Sequence, residues 1–380
     1  MTHYFISMNE SSSEFLDVLF ITEACSAGVR RHLELIIPAL QMRGIRCGLF
    51  AFSARADEDF LLLLEELAGL SCPVDFLEIK YNFPPVNLLC AYFRLKAMLE
   101  RYQPANIHLQ AGWAGILGRT LFSQRSIKSK VIYSPHSFGF HPGASFARRK
   151  ILPWLEKQLS RKTDAYLFIA EDELEDAKKL QLQENKFHLA QNAMPENFHS
   201  LLMSSGEAQL ELQISSDCLN VLVPCRLAWQ KGLDILFEAL AISKRSFPEK
   251  IIFHLCGTGP QEKELRKLAD NLEIQELLCF QGNVSRLWQK LKAFDFGILP
   301  SRYEGLSYSL LECLAAELPL LVSNINANMI SPEINNFEAE NAGSLAEKLV
   351  ELSKHKLDPK YIKLPCFEKQ IQQLMKLYNS

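Results

Sequence analysis

Short apolar runs alternate with amphipathic stretches along almost the whole chain. Phe15 to Ile21 is a continuous apolar run of strand length. After it, Val29, Leu33, Ile36, Ile37 and Leu40 recur at helical spacing, and Gly44 closes that helix. Ile45 to Phe52 is strand-like again. The rhythm then predicts a helix over Leu61 to Leu70, a strand at Val74 to Ile79, a helix over Leu88 to Arg101, and strands at Ile107 to Gln110 and Val131 to Ser134. A helix around Ile151 to Leu159, a strand at Ala165 to Ile169, a helix from Asp172 and a short strand at Phe187 to Leu189 follow. Strands alternating with helices imply a parallel, doubly wound sheet.

Between Pro195 and Asp217 the rhythm breaks into mixed polar residues. It restarts with strands at Leu219 to Pro224, Ile251 to Leu255, Leu278 to Phe280 and Phe296 to Leu299, and with helices over Leu233 to Ala241, Gln261 to Asn271 and Arg286 to Lys292. The expected organisation is a first domain over 1–196, a linker over 197–217 and a second domain over 218–360. Residues 361–380 read as a terminal helix whose return to the first domain is left open. Two parallel-sheet α/β domains facing across a crevice is the expected architecture.

Composition agrees with two packed cores: 380 residues, 48% hydrophobic and 22% charged, exclude wholesale disorder. A net charge of −3 argues against general nucleic-acid binding. The ten cysteines are scattered without a CxxC pair, which suits free thiols in a reducing cytosol better than a disulfide framework or a metal site. The first residues lack the pattern of a secretory signal, and no apolar run approaches the roughly 18 residues of a membrane span. A cytoplasmic protein is expected.

The chemistry concentrates in strand-to-helix loops. From Asp295 to Ser323 a strand, a loop, a helix and a second strand carry two carboxylates, Glu304 and Glu312, eight positions apart. Glu304 precedes the helix, Gly305 and Leu306 follow it, and Glu312 lies beside the buried stripe of Leu310, Leu311, Leu314 and Ala315. Ligand groups in open α/β sheets sit at such carboxyl ends of strands. Helix-dipole pairing and plain solvation are the ordinary alternatives. Arg226 and Lys231, five apart in RLAWQKG, can converge on one anion at a helix start where Gly232 clears space. Gly257 and Gly259 lie in another strand-to-helix loop, and Ala24 to Gly28 in a third.

Taken together, these loops resemble the retaining nucleotide-sugar glycosyltransferases of glycosyltransferase family 4, with the two-Rossmann GT-B fold. The resemblance covers roughly Leu16 to Ser323 and rests most on Arg226 to Gly232 and on the Glu304 and Glu312 pair. Ser26 to Val29, His136, Gln191 to Ala193, Gly257 to Pro260 and Gly282 to Val284 support it. The resemblance implies that Arg226 and Lys231 hold the donor diphosphate and that the amide of Gly28 touches it. It implies that Glu312 binds ribose, that Glu304 contacts donor-sugar hydroxyls and that His136 lies beneath the transferred sugar. Gly257, Gly259, Val284, Gly305 and Leu306 complete the donor-binding set. No metal and no separate cofactor are expected, the cationic clamp replacing Mg²⁺. The donor is a nucleoside-diphosphate sugar, with UDP slightly favoured over GDP, and the acceptor a glycan or lipid-linked glycan. An inactive GT-B nucleotide-binding module and a nucleotide-sugar epimerase are the rival readings.

Three departures from the family pattern stand out. Ala27 replaces the first glycine of the usual pair, Ser323 to Ile330 replaces a Gly-Gly turn, and the segment after it is shortened, so the last β-α unit is expected to be abbreviated. The stretch 119–162 holds ten Lys or Arg against one acid, Glu156, in a chain whose total is −3. Phe146, Ile151, Leu152, Trp154 and Leu155 lie within it. Either it is a solvated basic face with Trp154 in the core, or it docks the acceptor-side domain on an anionic cytoplasmic leaflet.

Overall fold

The computed structural model describes residues 3–6, 15–53, 56–79, 85–121, 128–140, 143–247, 250–354 and 362–380. They form two compact units, one of 1–192 with 368–380 and one of 193–367. The first unit runs β1 (His3–Ile6), β2 (Val18–Thr22), α1 (Ala27–Gln41), β3 (Cys47–Ser53), α2 (Glu58–Gly69), β4 (Val74–Glu78) and α3 (Pro85–Tyr102). It continues through β5 (Asn106–Gln110), α4 (Gly112–Leu121), β6 (Lys130–Ser134), α5 (Phe146–Leu159), β7 (Ala165–Phe168), α6 (Glu171–Lys179) and β8 (Phe187–Leu189). The strands order as β1-β4-β3-β2-β5-β6-β7-β8. All pairings are parallel except that of β1, which lies antiparallel on β4 at the edge. Helices cover both faces of such a sheet, so β2 and β3 are buried at every position.

Helix α4 has no counterpart in the sequence reading. Its three glycines in GWAGILGRTL lower helix propensity, but two of them are packing positions. A Cβ on Gly115 would meet the Tyr133 ring at 2.3 Å, and one on Gly118 would meet Leu109 at 2.4 Å. This close approach delivers Arg119 into the interior, where its side chain is 0% exposed. Its Nη2 donates to Glu156 Oε2 at 2.8 Å, Tyr166 donates to Glu156 Oε1 at 2.7 Å, and the guanidinium stacks 3.9 Å over the Tyr133 ring. Arg119, counted above with the basic stretch, is therefore a core ion-pair partner. Arg125 lies outside the described residues.

The second unit runs α7 (Ser205–Leu212), β9 (Leu219–Pro224), α8 (Leu233–Ser243), β10 (Ile251–Cys256), α9 (Glu262–Leu272), β11 (Leu278–Gly282) and β12 (Phe296–Leu299). Then come α10 (Tyr308–Ala315), β13 (Leu320–Ser323), β14 (Asn335–Phe337) and α11 (Ala342–Lys354). Its six strands are all parallel, in the order β11-β10-β9-β12-β13-β14. The residues expected as linker hold α7, opened by a capping box between Ser204 and Glu207. Met203 N donates to Gln289 O at 2.8 Å, which ties this segment to the second unit. The helix expected over Arg286 to Lys292 is a 3-10 helix, Leu287–Ala293, entered through Arg286 at φ 47°. Shortening of the last β-α unit falls on β14, three residues long, while α11 keeps thirteen.

The terminal helix α12 (Phe367–Tyr378) packs on the first unit. Asn106 Nδ2 donates to Tyr378 O at 2.9 Å, and the Tyr378 hydroxyl lies 2.8 Å from His108 Nδ1.

The buried Arg119 and Glu156 pair gives a stability test. Glu156→Ala should lower unfolding free energy by about 3–5 kcal/mol in urea denaturation, because it leaves a desolvated cation unpaired. A double replacement, Arg119→Met with Glu156→Leu, should recover most of that loss. A Glu156→Ala protein as stable as the parent would show that the pair is not the anchor of α4 and α5.

Candidate functional site

The chain leaves β9 toward β10 and β11, then returns to the other side of β9 as β12. The loops after β9 and β12 therefore diverge at adjacent strand ends, the switch point where open α/β sheets bind ligands. Below the opening they touch. Gly232 has φ +63°, and a Cβ on it would lie 2.1 Å from Pro300 O. The next loop is seated the same way. Cβ atoms on Gly257 and Gly259 would meet Cys225 O and Leu227 O at 2.1 and 2.2 Å, and Leu227 N donates to Thr258 O at 3.0 Å. The three glycines thus have a packing role between loops, which spacing alone did not reveal.

On this base the structure brings Lys231 and Glu304 together. Lys231 Nζ donates to Glu304 Oε1, which also accepts from Ser301 Oγ at 2.8 Å. Gln230 Nε2 donates to Glu304 Oε2 at 3.2 Å and to Tyr303 O at 3.0 Å, while Gln230 O accepts from Arg302 N at 2.8 Å. The Lys231 and Glu304 side chains are 18% and 10% exposed. Arg302 fixes the loop from outside. It donates twice to Asp234 at 2.8 and 2.6 Å and to Glu340 at 3.0 Å, and stacks 4.7 Å from the Trp229 ring centre.

Arg226 is exposed, and its guanidinium makes no hydrogen bond or ion pair among the described residues. Its charge reaches the Tyr303 hydroxyl, whose pKa is pushed up to about 12 by burial and by Glu304 against the pull of Arg226. Glu312 is half-buried in α10, which Ser307 caps by accepting from Leu310 N at 3.3 Å. Leu306 is 5% exposed, Gly305 is partly exposed, and Val284 lies partly exposed two residues beyond β11. Ser301, Arg302 and Tyr303 escaped the sequence reading, and Gln230 stood in the RLAWQKG motif without an assigned role. They flank the recognised positions, and only the pairing of two distant loops shows what they hold.

In the first unit the switch point lies between β2 and β5. Gly28 is exposed in the first turn of α1, with open space around its Cα. Glu23 accepts from Trp113 N and Ala114 N, both at 2.8 Å, and so caps α4. His136 and Ser137 follow β6 with φ 50° and 87°. The His136 Nε2 atom bonds Gln110 Oε1, and its ring meets that of His32 edge-on at 5.1 Å. Burial, with His32 and His108 nearby, holds the His136 pKa well below its usual value, so the imidazole is neutral at pH 7. Glu173 accepts from Ser137 N and, at 3.1 Å, from Ile169 N, and burial pushes its carboxyl up to about 7.

A family model of glycosyl transferases group 1 matches residues 210–363, and one of a glycosyl transferase 4-like domain matches 27–193. The chain belongs to this glycosyltransferase 4-type, GT-B family. EpsD of Bacillus subtilis (strain 168) is 29% identical over 248 residues, 64% of this chain and 64% of its own length. The UDP-Gal:alpha-D-GlcNAc-diphosphoundecaprenol alpha-1,3-galactosyltransferase of Escherichia coli is 24% identical over 285 residues, 73% of each. The match spans less than two thirds of the first relatives' own length, 64%, 60% and 52%. Among solved structures, Anabaena HepE in complex with UDP and glucose has TM-score 0.73 at 14% identity, over 96% of this chain and 100% of that one, a likeness of fold.

The family's usual glycine is Ala27 here, and the structure holds this residue at φ +53°, a conformation that costs an L side chain. The turn is kept because Asp57 accepts from the Ala27 N–H and pairs with Arg30 at 3.3 Å. Ala27→Gly should stabilise the first unit by roughly 0.5–1 kcal/mol, read as a higher urea midpoint at unchanged slope. A lower midpoint would mean that the strain at Ala27 is absent in solution.

Proposed function

We propose that the chain is a retaining, hexosyltransferase-type glycosyltransferase, moving a sugar from a nucleoside-diphosphate donor to an acceptor hydroxyl in lipopolysaccharide, exopolysaccharide or another surface-glycan synthesis. The observation that carries this reading is the meeting of Lys231 with Glu304 beside the exposed Arg226, at the switch point of the second unit. Cleaving the bond between sugar and diphosphate leaves negative charge on the departing phosphate. Two cations on a fixed loop are suited to stabilise it as it develops, without requiring a divalent metal. Glu304, held by Ser301 and Gln230, is an acceptor for donor-sugar hydroxyls, and Glu312 is assigned to ribose. The second unit is then read as donor-side and the first as acceptor-side, with the roles of Gly28 toward the diphosphate and His136 toward the transferred sugar carried over from the family pattern. Retention follows from family membership, with front-face departure and attack preferred because Glu304 is engaged as a hydrogen-bond acceptor.

A UDP-sugar donor is supported by the UDP held by HepE and by the UDP-Gal of the Escherichia coli relative's name. That relative's diphosphoundecaprenol acceptor supports a lipid-linked glycan acceptor here. We further assign the protein to the cytoplasmic face of an anionic membrane. No helix of the described residues is long and apolar enough to cross a membrane. Helix α5 instead projects Phe146, Ile151 and Trp154 at 76%, 56% and 62% exposure among the exposed Arg148, Arg149 and Lys150. Trp154 is thus outside the core, against the first of the two accounts of this stretch.

Transfer assays test the chemistry. Arg226→Ala and Lys231→Ala should each slow transfer by about 10²-fold or more, and activity should persist in EDTA. Glu312→Ala should weaken binding of the nucleoside diphosphate itself. Near-normal turnover in either cation variant, or EDTA inhibition reversed by added metal, would overturn the clamp.

Vesicle co-sedimentation tests the location. Binding should require anionic lipid, fade in high salt, and fall by at least about 10²-fold when Arg148, Arg149 and Lys150 become Glu, at roughly 1 kcal/mol per engaged cation. Equal recovery with neutral and anionic vesicles would rule out docking through this helix.

A further inference from the structure

We propose that Lys231 and Glu304 form an exchange pair that makes the site favour a sugar-bearing donor over the nucleoside diphosphate left after transfer. The proposal rests on the reading of this site as a donor site. Its basis is an asymmetry in the partners of the two charges. Glu304 accepts from three side chains, Lys231, Ser301 and Gln230, the last two being neutral and fixed by their own loops. Among the described residues the Lys231 ammonium has no hydrogen-bond partner other than Glu304. If the ion pair opens, the carboxylate keeps two donors and stays in place, whereas the ammonium, largely shielded from water, needs a new anion. A diphosphate supplies that anion.

The consequence depends on what the diphosphate carries. A bare nucleoside diphosphate takes Lys231 from Glu304 and gives the carboxylate nothing in return, and it places like charges near each other. A sugar nucleotide brings hydroxyl donors that replace the ammonium at Glu304. After transfer the sugar is gone, Glu304 reclaims Lys231, and the leaving diphosphate loses one of its two cations. Arg226, exposed and without an ion-pair partner among the described residues, makes no such exchange and serves as the first contact. Gln230 and Ser301 are positioning residues, since they hold the carboxylate while its cation is elsewhere.

Isothermal titration with UDP and with inorganic pyrophosphate tests this. Glu304→Gln should bind both probes roughly 3- to 10-fold more tightly than the parent while transferring sugar more slowly. Ser301→Ala, a milder change, should shift UDP affinity the opposite way, because a carboxylate with one donor fewer holds Lys231 harder. The gain in Glu304→Gln must act through Lys231, so it should vanish in Lys231→Met with Glu304→Gln, measured against Lys231→Met alone. A gain that persists there would reduce Glu304 to a general repulsive charge and overturn the exchange. So would unchanged UDP affinity in a folded Glu304→Gln protein when the parent binds UDP normally. A parent protein that binds neither UDP, GDP nor pyrophosphate would instead overturn the donor-site reading, and the exchange with it.

Discussion

A parallel sheet that grows outward from one strand, then returns to that strand's other side, must send neighbouring loops apart at their carboxyl ends. Both units obey this constraint, around β9 and β12 in the second and around β2 and β5 in the first. In the second unit the gap is closed at its base by backbone contact, with the hydrogen of Gly232 against Pro300 O. Above that contact the loops are joined by Gln230, whose carbonyl and amide both bond the strand-end segment after β12. Lys231 and Glu304 are adjacent because the residues before each of them are already fastened together.

The charges around this gap are partitioned rather than pooled. Three cations lie on the two loops, and each has a different fate. Arg302 is neutralised by Asp234 and Glu340 and serves to fix the loop. Lys231 is shared with Glu304. Arg226 faces solvent. A site built only for rigidity would pair all three, and a site built only for anion capture would leave all three open. The graded arrangement gives the loop a stable resting state while keeping one full charge available to steer an anionic ligand.

Much of the fold was legible because buried parallel strands and amphipathic helices leave different periods in a sequence. What escaped depended on long-range contact. Helix α4 hid behind glycines whose use appears only when Tyr133 and Leu109 are set against them. Helix α7 reads as linker because it is short and weakly amphipathic, with Ala208 and Leu212 buried while Leu210 faces solvent. The edge strand β1 owes its place to antiparallel pairing with β4, which no local pattern signals. At the site, Arg226, Lys231, Glu304 and Glu312 were readable from spacing and family pattern. Ser301 and Arg302 were not, and Gln230 stood in the motif without its role, since what such a residue holds is set by the distant loop it meets. Gly257 and Gly259 carried a signal of close approach that was assigned to a ligand, and the structure shows that a neighbouring loop also demands it.

The strand ends of the two units differ in the chemistry they present. Those of the second unit carry opposed full charges. In the first unit neutral polar groups gather around β5 and β6, where His108 bonds Ser134 and Tyr378, His32 bonds Asn192 and His136 bonds Gln110, while the carboxyls of Glu23 and Glu173 are taken up by backbone N–H groups. Burial keeps all three imidazoles below their usual pKa, so protonating any of them near neutral pH would be costly. A neutral imidazole cannot compensate a phosphate charge, but it can orient a hydroxyl by giving or accepting one hydrogen bond. A neutral imidazole suits the role proposed above for the first unit, which meets an uncharged acceptor hydroxyl, as the cations of the second suit a departing diphosphate. Glu173 adds a condition on that neutrality. Its buried carboxyl holds the Ser137 amide beside His136, and its pKa near 7 makes it a support of the histidine turn whose charge changes close to neutral pH. Because burial has raised that pKa above the unfolded value, ionising Glu173 opposes folding. Its contribution is therefore most favourable below about pH 4.5 and is lost as pH rises through about 7. The two backbone N–H donors offset some of the cost by stabilising the carboxylate, so the His136 turn is held by a charge that the rest of its surroundings disfavours.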